Sequence, residues 1–224
     1  MSDEAFHLQL QRESAPTWAA IDALPFLARL ADGSLEEERF AWFITQDIHY
    51  LDTFANVLLR AATWADDSAT RAFLRDRAAN VERVEVALHG TLAPRLGISV
   101  EVVRATEPAA VTVAYTDHLL KIAAAGPLAE VIAAVLPCYW VYRHVGLQLI
   151  DRLPDHDLYA NWIRAYAAPE FGAAVDSQLA LVDTLAAAAT PAVRERMTRW
   201  FQRSLRYEWM FWDQADRQAH WPVV

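Results

Sequence analysis

Apolar residues recur at intervals of three and four positions along nearly the whole chain, within segments rich in alanine. This spacing places apolar side chains on one face of an α-helix. Alternating runs of β-branched residues, which are typical of strands, are missing from the sequence. The pattern therefore predicts an all-α protein built as a helical bundle.

Helix-capping and helix-breaking residues divide this pattern into separate helices. Gly33 is expected to end an early helix. Residues 34–37 match the capping-box pattern and predict the start of a long helix that reaches about Trp64. Thr106 is expected to cap a later helix, which Gly126 separates from a very apolar one. Beyond the long helix, helices are expected over about 68–94, 107–125, 128–153, 158–167, 170–188 and 191–218.

Nothing in the sequence divides the chain into separate domains. The connections are short, and no stretch rich in serine, glycine or proline interrupts the helical pattern. A chain of 224 residues is long enough for one large hydrophobic core. We therefore predict one helical domain over 1–224.

Composition and charge exclude several classes of protein. Hydrophobic residues make up 54% of the chain, far more than a disordered protein carries. The formal net charge of −9 would repel a polyanion, so nucleic acid is not expected as a partner. The six glycines form no phosphate-binding or nucleophile-elbow motif. A soluble metabolic protein fits this composition better.

Metal-ligand and membrane signals are weak. Cys138 is the single cysteine, so neither an intramolecular disulfide nor a cysteine-based zinc cluster can form. The Glu-x-x-His spacing of di-iron proteins occurs only at Glu4 and His7, and no metal is expected. The longest uncharged apolar run, 131–142, is too short for a membrane span, and the N-terminus lacks a basic signal region. The expected location is the cytoplasm.

Two segments place reactive groups inside otherwise apolar, aromatic helices, where they are costly to bury without a partner or a function. Asp47 and Tyr50 lie three residues apart and share one helix face. If that face points inward, the carboxyl group lies in a pocket; the alternative is an exposed aspartate. Cys138 and Tyr142 lie four apart on the most apolar helix, where the alternative is a cysteine acting only as a small hydrophobic residue.

Glu208 lies among large apolar and aromatic side chains in a third segment. The positions three and four residues away hold no basic residue that could pair with it. Burial there would favour the protonated carboxyl group that a general acid requires, and the alternative is an outward-facing glutamate. Tyr115 and Tyr166 are candidate pocket residues, although aromatic residues at helical spacing are more often plain core.

Together these segments resemble the TenA (thiaminase II) family of thiamin-pyrimidine salvage enzymes, over essentially the whole chain. Each motif is short, but their order and spacing make the joint match specific. The resemblance implies the all-helical haem-oxygenase-like fold. The matching motifs are Gln46-Asp47-x-x-Tyr50-Leu51, Ala114-Tyr115-Thr116, Pro137-Cys138-x-x-x-Tyr142, Trp162-Ile163-x-x-Tyr166 followed by Pro169-Glu170-Phe171, and Tyr207-Glu208-Trp209-x-Phe211-Trp212.

The resemblance also implies a role for each candidate residue. Cys138 would be the nucleophile that adds to the pyrimidine ring, and Glu208 would be the proton donor and acceptor. Asp47 would hydrogen-bond the aminopyrimidine, and Tyr50 would polarise the Cys138 thiol. The other residues expected to contact or flank the substrate are Tyr115, Tyr142 and Tyr166.

The implied reaction is that of an aminopyrimidine aminohydrolase. It converts 5-aminomethyl-2-methylpyrimidin-4-amine and water to the 5-hydroxymethyl pyrimidine and ammonia, with some hydrolysis of thiamin itself. The resemblance implies no metal or organic cofactor, a small pyrimidine as the partner, and a homotetramer. The presence of Cys138 places the chain with the cysteine-containing branch, whereas His49 departs from the residue expected beside Tyr50.

Two other functions stay open at this point. A non-catalytic pyrimidine-binding or regulatory protein would keep the contacts of Asp47 and make Cys138 dispensable. The other is a different chemistry on the same fold, such as haem or quinone-precursor oxidation, because a fold does not fix a function. Haem would need an axial ligand, for which His7 is the N-terminal candidate.

Overall fold

The structure is a computed structural model that describes residues 4–87 and 93–223. All regular secondary structure in these residues is helical, which confirms the all-α prediction. A 3₁₀ turn, Ile150–Arg152, follows the ninth helix. The helices are α1 (Phe6–Glu13), α2 (Ala15–Asp22), α3 (Pro25–Asp32), α4 (Glu37–Thr63), α5 (Ser68–Ala87), α6 (Ala93–Arg95), α7 (Val100–Ala105), α8 (Ala110–Ala125), α9 (Leu128–Leu149), α10 (Asp157–Ala167), α11 (Pro169–Ala188) and α12 (Pro191–Arg217).

The start of α4 differs from the sequence prediction. Gly33 ends α3 with a φ of +79°, a left-handed conformation that glycine adopts without strain, and this confirms the predicted stop. The predicted capping box is wrong, because the Ser34 N–H donates to the Asp32 carboxylate at 2.9 Å within this turn. Helix α4 begins later, at Glu37, with Glu36 as its N-cap residue.

The start of α8 is a second correction. The Thr106 hydroxyl donates to the Val102 carbonyl at 2.8 Å, so it serves the end of α7 instead of the start of α8. Pro108 disfavours a helical conformation at the residue before it, and α8 begins only at Ala110. The helix predicted over 68–94 corresponds to α5 and α6, and its part at 88–92 lies outside the described residues.

The described residues form two compact units. The first unit comprises 4–35 and 129–210, which contain α1, α2, α3, α9, α10, α11 and most of α12. Within it α1 packs against α11, where Asp183 accepts a hydrogen bond from the His7 backbone N–H at 2.9 Å. The Asp183 carboxylate also lies 2.7 Å from His7 Nδ1. This contact fixes the N-terminal helix to the unit.

A buried carboxylate joins α9 to α12 within the first unit. Glu130, in the first turn of α9, accepts hydrogen bonds from Arg196 Nε and Trp200 Nε1, each at 2.7 Å. A buried carboxylate needs such donors to offset its lost hydration. These two hydrogen bonds therefore fix the position of α12 against α9, the helix that carries Cys138.

The second unit comprises 36–128 and 211–223, which contain α4, α5, α6, α7, α8 and the end of α12. Helix α4 packs against α5, α7 and α8. The Phe43 ring of α4 stacks on the Trp212 ring with 4.7 Å between centroids, which holds the end of α12 in this unit. The prediction of one domain over 1–224 stays a prediction.

Among the helices that the structure describes, none combines the length and the hydropathy needed to cross a bilayer. The very apolar helix α9 carries Glu130 and Arg143, which interrupt its apolar residues.

Candidate active site

Asp47 lies near the middle of α4, with 4% of its surface exposed. The alternative of an exposed aspartate is therefore wrong. Burial raises the pKa of Asp47 from an ordinary value of 3.8 to about 7, because a low-dielectric environment disfavours the charged carboxylate. Near neutral pH the carboxyl group is thus divided between its neutral and charged forms. The neutral form donates one hydrogen bond and accepts others.

Tyr50 lies three residues after Asp47 and joins an aromatic cluster in the second unit. The centroid of its ring lies 5.0 Å from that of Tyr115 on α8, 5.5 Å from that of Phe54 and 5.9 Å from that of Phe211. Tyr50 and Tyr115 are both buried. The structure thus brings two of the predicted site tyrosines together, with Phe211 as a third ring.

A buried polar network lies in the same unit. Gln46 Oε1 accepts hydrogen bonds from the Ala109 backbone N–H and the Thr112 hydroxyl, each at 2.8 Å. Gln214 Nε2 donates to Thr112 Oγ1 at 2.9 Å. Sequence reasoning included Gln46 in a motif but missed Thr112 and Gln214. Neither residue carries a clear local signal, since Gln214, for example, lies among charged residues at the end of its helix.

Cys138 lies in α9, in the first unit, and is half-buried. Its exposure sets it apart from Val135 and Val141 on the same helix, which are fully buried. Pro137 precedes it inside the helix and cannot donate the backbone N–H that would normally meet the Ala133 carbonyl.

Tyr142 lies one turn after Cys138 and belongs to an aromatic cluster of the first unit. Its ring centroid lies 4.8 Å from that of Tyr166 and 6.0 Å from that of Trp162, both on α10. Phe171 at the start of α11 packs edge-on against Tyr166 at 5.1 Å. The structure therefore brings the predicted residues Tyr142 and Tyr166 together.

Glu208 lies on α12, in the first unit, and is 2% exposed. Ser204 and Leu205, one helical turn earlier, are fully buried, so this face of the helix points into the protein. The alternative of an outward-facing glutamate is therefore wrong. Glu208 thus joins Asp47 and Glu130 as a carboxyl group in a buried position.

The histidines that the sequence singled out are not gathered into a metal site. No group of three or more His, Cys, Asp or Glu side chains suited to a metal ion occurs within 4–87 and 93–223. His7, the candidate haem ligand, contacts Asp183 through Nδ1 at 2.7 Å. His49 is half-buried, and its Nε2 meets no hydrogen-bond partner among the described residues.

Comparison with known proteins identifies relatives over nearly the full chain. The TENA/THI-4/PQQC family profile matches residues 12–218. An aminopyrimidine aminohydrolase from Bacillus subtilis (strain 168) is 35% identical over 216 residues, which cover 96% of this chain and 92% of that protein.

Solved structures agree in fold. A TenA homologue protein from P. horikoshii OT3 superposes with a TM-score of 0.90 at 28% identity, covering 96% of this chain and 100% of that one. A domain of unknown function with a heme oxygenase-like fold from Shewanella denitrificans OS217 superposes with a TM-score of 0.66 at 16% identity, covering 94% and 92%. These likenesses confirm the predicted haem-oxygenase-like fold. The profile match and the identity to the Bacillus protein together show that this chain belongs to the TENA/THI-4/PQQC family.

Proposed function

We propose that this chain is an aminopyrimidine aminohydrolase that acts in thiamin salvage. It replaces the amino group of 5-aminomethyl-2-methylpyrimidin-4-amine by a hydroxyl group from water and releases ammonia. The observation that carries the proposal is the 35% identity, over 96% of the chain, to a protein named aminopyrimidine aminohydrolase. Some hydrolysis of thiamin, which carries the same pyrimidine, belongs to the proposal.

Asp47 has the properties needed to bind an aminopyrimidine. The ring nitrogen next to an amino-bearing carbon accepts a hydrogen bond, while the amino group donates one. A neutral carboxyl group presents the matching donor and acceptor. Because burial raises the pKa of Asp47 to about 7, the neutral form is available near neutral pH. This property supports Asp47 as the group that recognises the substrate.

Cys138 is assigned as the nucleophile. A thiol attacks as its thiolate, so the proton must be withdrawn or the sulfur polarised, a role assigned to Tyr50. Addition of the sulfur to the pyrimidine ring pushes electrons toward the exocyclic methylene, and the C–N bond there breaks. Water then adds to the methylene carbon, and the thiolate leaves the ring. The partial exposure of Cys138 supports this role.

Glu208 is assigned as the proton donor and acceptor. Ammonia leaves only if the amino group receives a proton, and the incoming water must lose one when the new C–O bond forms. One carboxyl group can serve both steps, because it donates its proton in the first and recovers one in the second. The burial of Glu208 supports this assignment, since a group that passes a proton to and from the substrate must be shielded from bulk water.

Aromatic residues are assigned to the contacts with the flat substrate. Pyrimidine rings stack on tyrosine rings and exclude water from the reacting carbons. The pairing of Tyr50 with Tyr115, and of Tyr142 with Tyr166, supports these two surfaces as substrate contacts.

The remaining features of the proposal concern the whole protein. The reaction needs no metal and no organic cofactor, since acid, base and thiol supply each step. We include one helical domain over 1–224, because the chain passes between the two units three times. A homotetramer in the cytoplasm completes the proposal, by resemblance.

The test is turnover of the aminomethyl pyrimidine by the wild-type protein, Cys138→Ala and the isosteric Cys138→Ser. The proposal predicts product from wild type alone, with all three proteins equally stable in urea. Turnover by Cys138→Ala would contradict the assigned mechanism. Tight binding of the pyrimidine by wild type, without product, would favour a binding or regulatory protein instead.

A further inference from the structure

Three helices of the second unit meet in two successive layers. In the polar layer, Gln46 of α4, Thr112 of α8 and Gln214 of α12 are joined by hydrogen bonds of 2.8 and 2.9 Å. Each of these side chains is 1% exposed. The layer is therefore a buried network that joins all three helices.

The aromatic layer lies one helical turn away on the same three helices. Tyr50 follows Gln46 by four residues, Tyr115 follows Thr112 by three, and Phe211 precedes Gln214 by three. Residues at these spacings share a helix face. The ring centroids of Tyr115 and Phe211 lie 5.0 and 5.9 Å from that of Tyr50. The polar layer thus directly supports the layer that contains Tyr50 and Tyr115.

Gln46 also accepts a hydrogen bond at the start of α8. The N-cap residue of that helix is Ala109, whose methyl side chain cannot accept a capping hydrogen bond. Gln46 Oε1 accepts the Ala109 N–H at 2.8 Å, in the way that a capping-box glutamate reaches back to an N-cap N–H, but from another helix. One amide oxygen therefore fixes both where α8 begins and how α4 lies against it.

We propose that Gln46 and Thr112 are positioning residues for the pyrimidine site, because their hydrogen bond sets the register of α4 against α8. Asp47 follows Gln46 directly, so its carboxyl group moves with that register. A shift of α4 along α8 would also separate Tyr50 from Tyr115. The inference rests on the proposed function, since it assigns these residues to the binding of the aminopyrimidine.

Helix α4 can shift little along α8 without a cost in free energy, because each hydrogen-bonding partner in the network is buried. Without the Gln46 oxygen, the Thr112 hydroxyl and the Ala109 N–H would lose their acceptor in a place where water does not readily replace it. Gln214 offers no substitute, because it reaches Thr112 through its amide nitrogen. Its Oε1 is buried and meets no donor in the part of the chain that the structure describes.

The test compares four variants of the full-length protein in the aminomethyl pyrimidine assay. Gln46→Met keeps the length of the side chain and removes the acceptor, and Thr112→Val keeps the shape and removes the hydroxyl. Thr112→Ser restores the hydroxyl. The matched control is Thr45→Val, which removes a buried hydroxyl of α4 that donates to the Ala41 carbonyl of the same helix.

Misplacement of Asp47 weakens substrate binding, so Gln46→Met and Thr112→Val are each expected to raise KM about tenfold, the effect of one well-placed hydrogen bond. Thr112→Ser is expected to return KM to the wild-type value, and Thr45→Val to leave it unchanged. A merely structural role would instead reduce kcat, through the folded fraction, at constant KM. Unchanged KM in Gln46→Met and Thr112→Val would overturn the inference.

Failure of the proposed function would be seen in the wild-type protein and not in the variants. If wild type binds the pyrimidine without turnover, calorimetric dissociation constants replace KM, and the same tenfold pattern across the four variants is expected. Equal dissociation constants in wild type and Gln46→Met would overturn the inference. Wild-type protein that neither binds nor converts the pyrimidine would overturn both proposals.

Discussion

Replacing Asp47 by asparagine removes a carboxyl group whose ionisation the folded protein resists. Its pKa lies at about 7 in the folded protein, because burial disfavours the charged form, against 3.8 as its ordinary value. The folded state therefore holds the proton more tightly than the unfolded chain. The resulting contribution to stability is fully present below pH 3.8 and is lost as the pH rises through about 7.

The size of this effect follows from the two pKa values. Each pH unit between them corresponds to about 1.4 kcal/mol, so the full contribution is roughly 4 kcal/mol. Roughly 2.5 kcal/mol of it is lost between about pH 5 and pH 8, the range in which unfolding is conveniently measured. Relative to Asp47→Asn, wild type is therefore expected to lose roughly 2.5 kcal/mol of unfolding free energy over that range.

The assay is urea unfolding, followed by tryptophan fluorescence, of wild type and Asp47→Asn at both pH values. Taking the difference between the two proteins cancels the titration of all other groups. The matched control is Asp52→Asn, an exposed position on the same helix, where the difference is expected to stay nearly constant. A constant difference for Asp47→Asn as well would show that the pKa of Asp47 is not raised in the folded protein, and would refute the reasoning.

Three further predictions concern other parts of the chain. Glu208→Gln is expected to abolish turnover with little change in urea stability, and full activity would contradict its role in proton transfer. In Gly126→Ala, the new Cβ would lie 2.8 Å from the Trp64 indole at a φ of +56°, and the unfolding free energy should fall by about 1–3 kcal/mol. Arg196→Met removes a donor from buried Glu130 and should cost about 1–3 kcal/mol, and adding Glu130→Gln should recover part of it.

The helical fold was predictable because its signals are local. Apolar spacing, Gly33 and Gly126 act within one or two turns, and the structure agrees with them. The start of α8 was not predictable in this way, because its N-cap N–H is met by Gln46, 63 residues earlier in the chain. Local capping signals pointed to Thr106, whose hydroxyl serves the preceding helix.

In the candidate site too, local signals in the sequence were readable, whereas contacts between residues distant in the chain were not. Motif order singled out Asp47 and Glu208, but helix spacing alone could not decide which face of each helix points inward, since aromatic residues occur on several faces. The structure shows both carboxyl groups to be buried. Thr112 and Gln214 were missed because their hydrogen bond joins residues 102 positions apart, and each looks unremarkable in its own segment.

The central claim is hydrolysis of the aminomethyl pyrimidine, and its most direct test is the reaction in ¹⁸O-labelled water. The account predicts that wild-type protein releases equal amounts of ammonia and hydroxymethyl pyrimidine, and that mass spectrometry finds the ¹⁸O in the new hydroxyl group. It predicts neither product from Cys138→Ala. Binding of the pyrimidine by wild type without ammonia release, or a product whose oxygen does not come from water, would contradict the account.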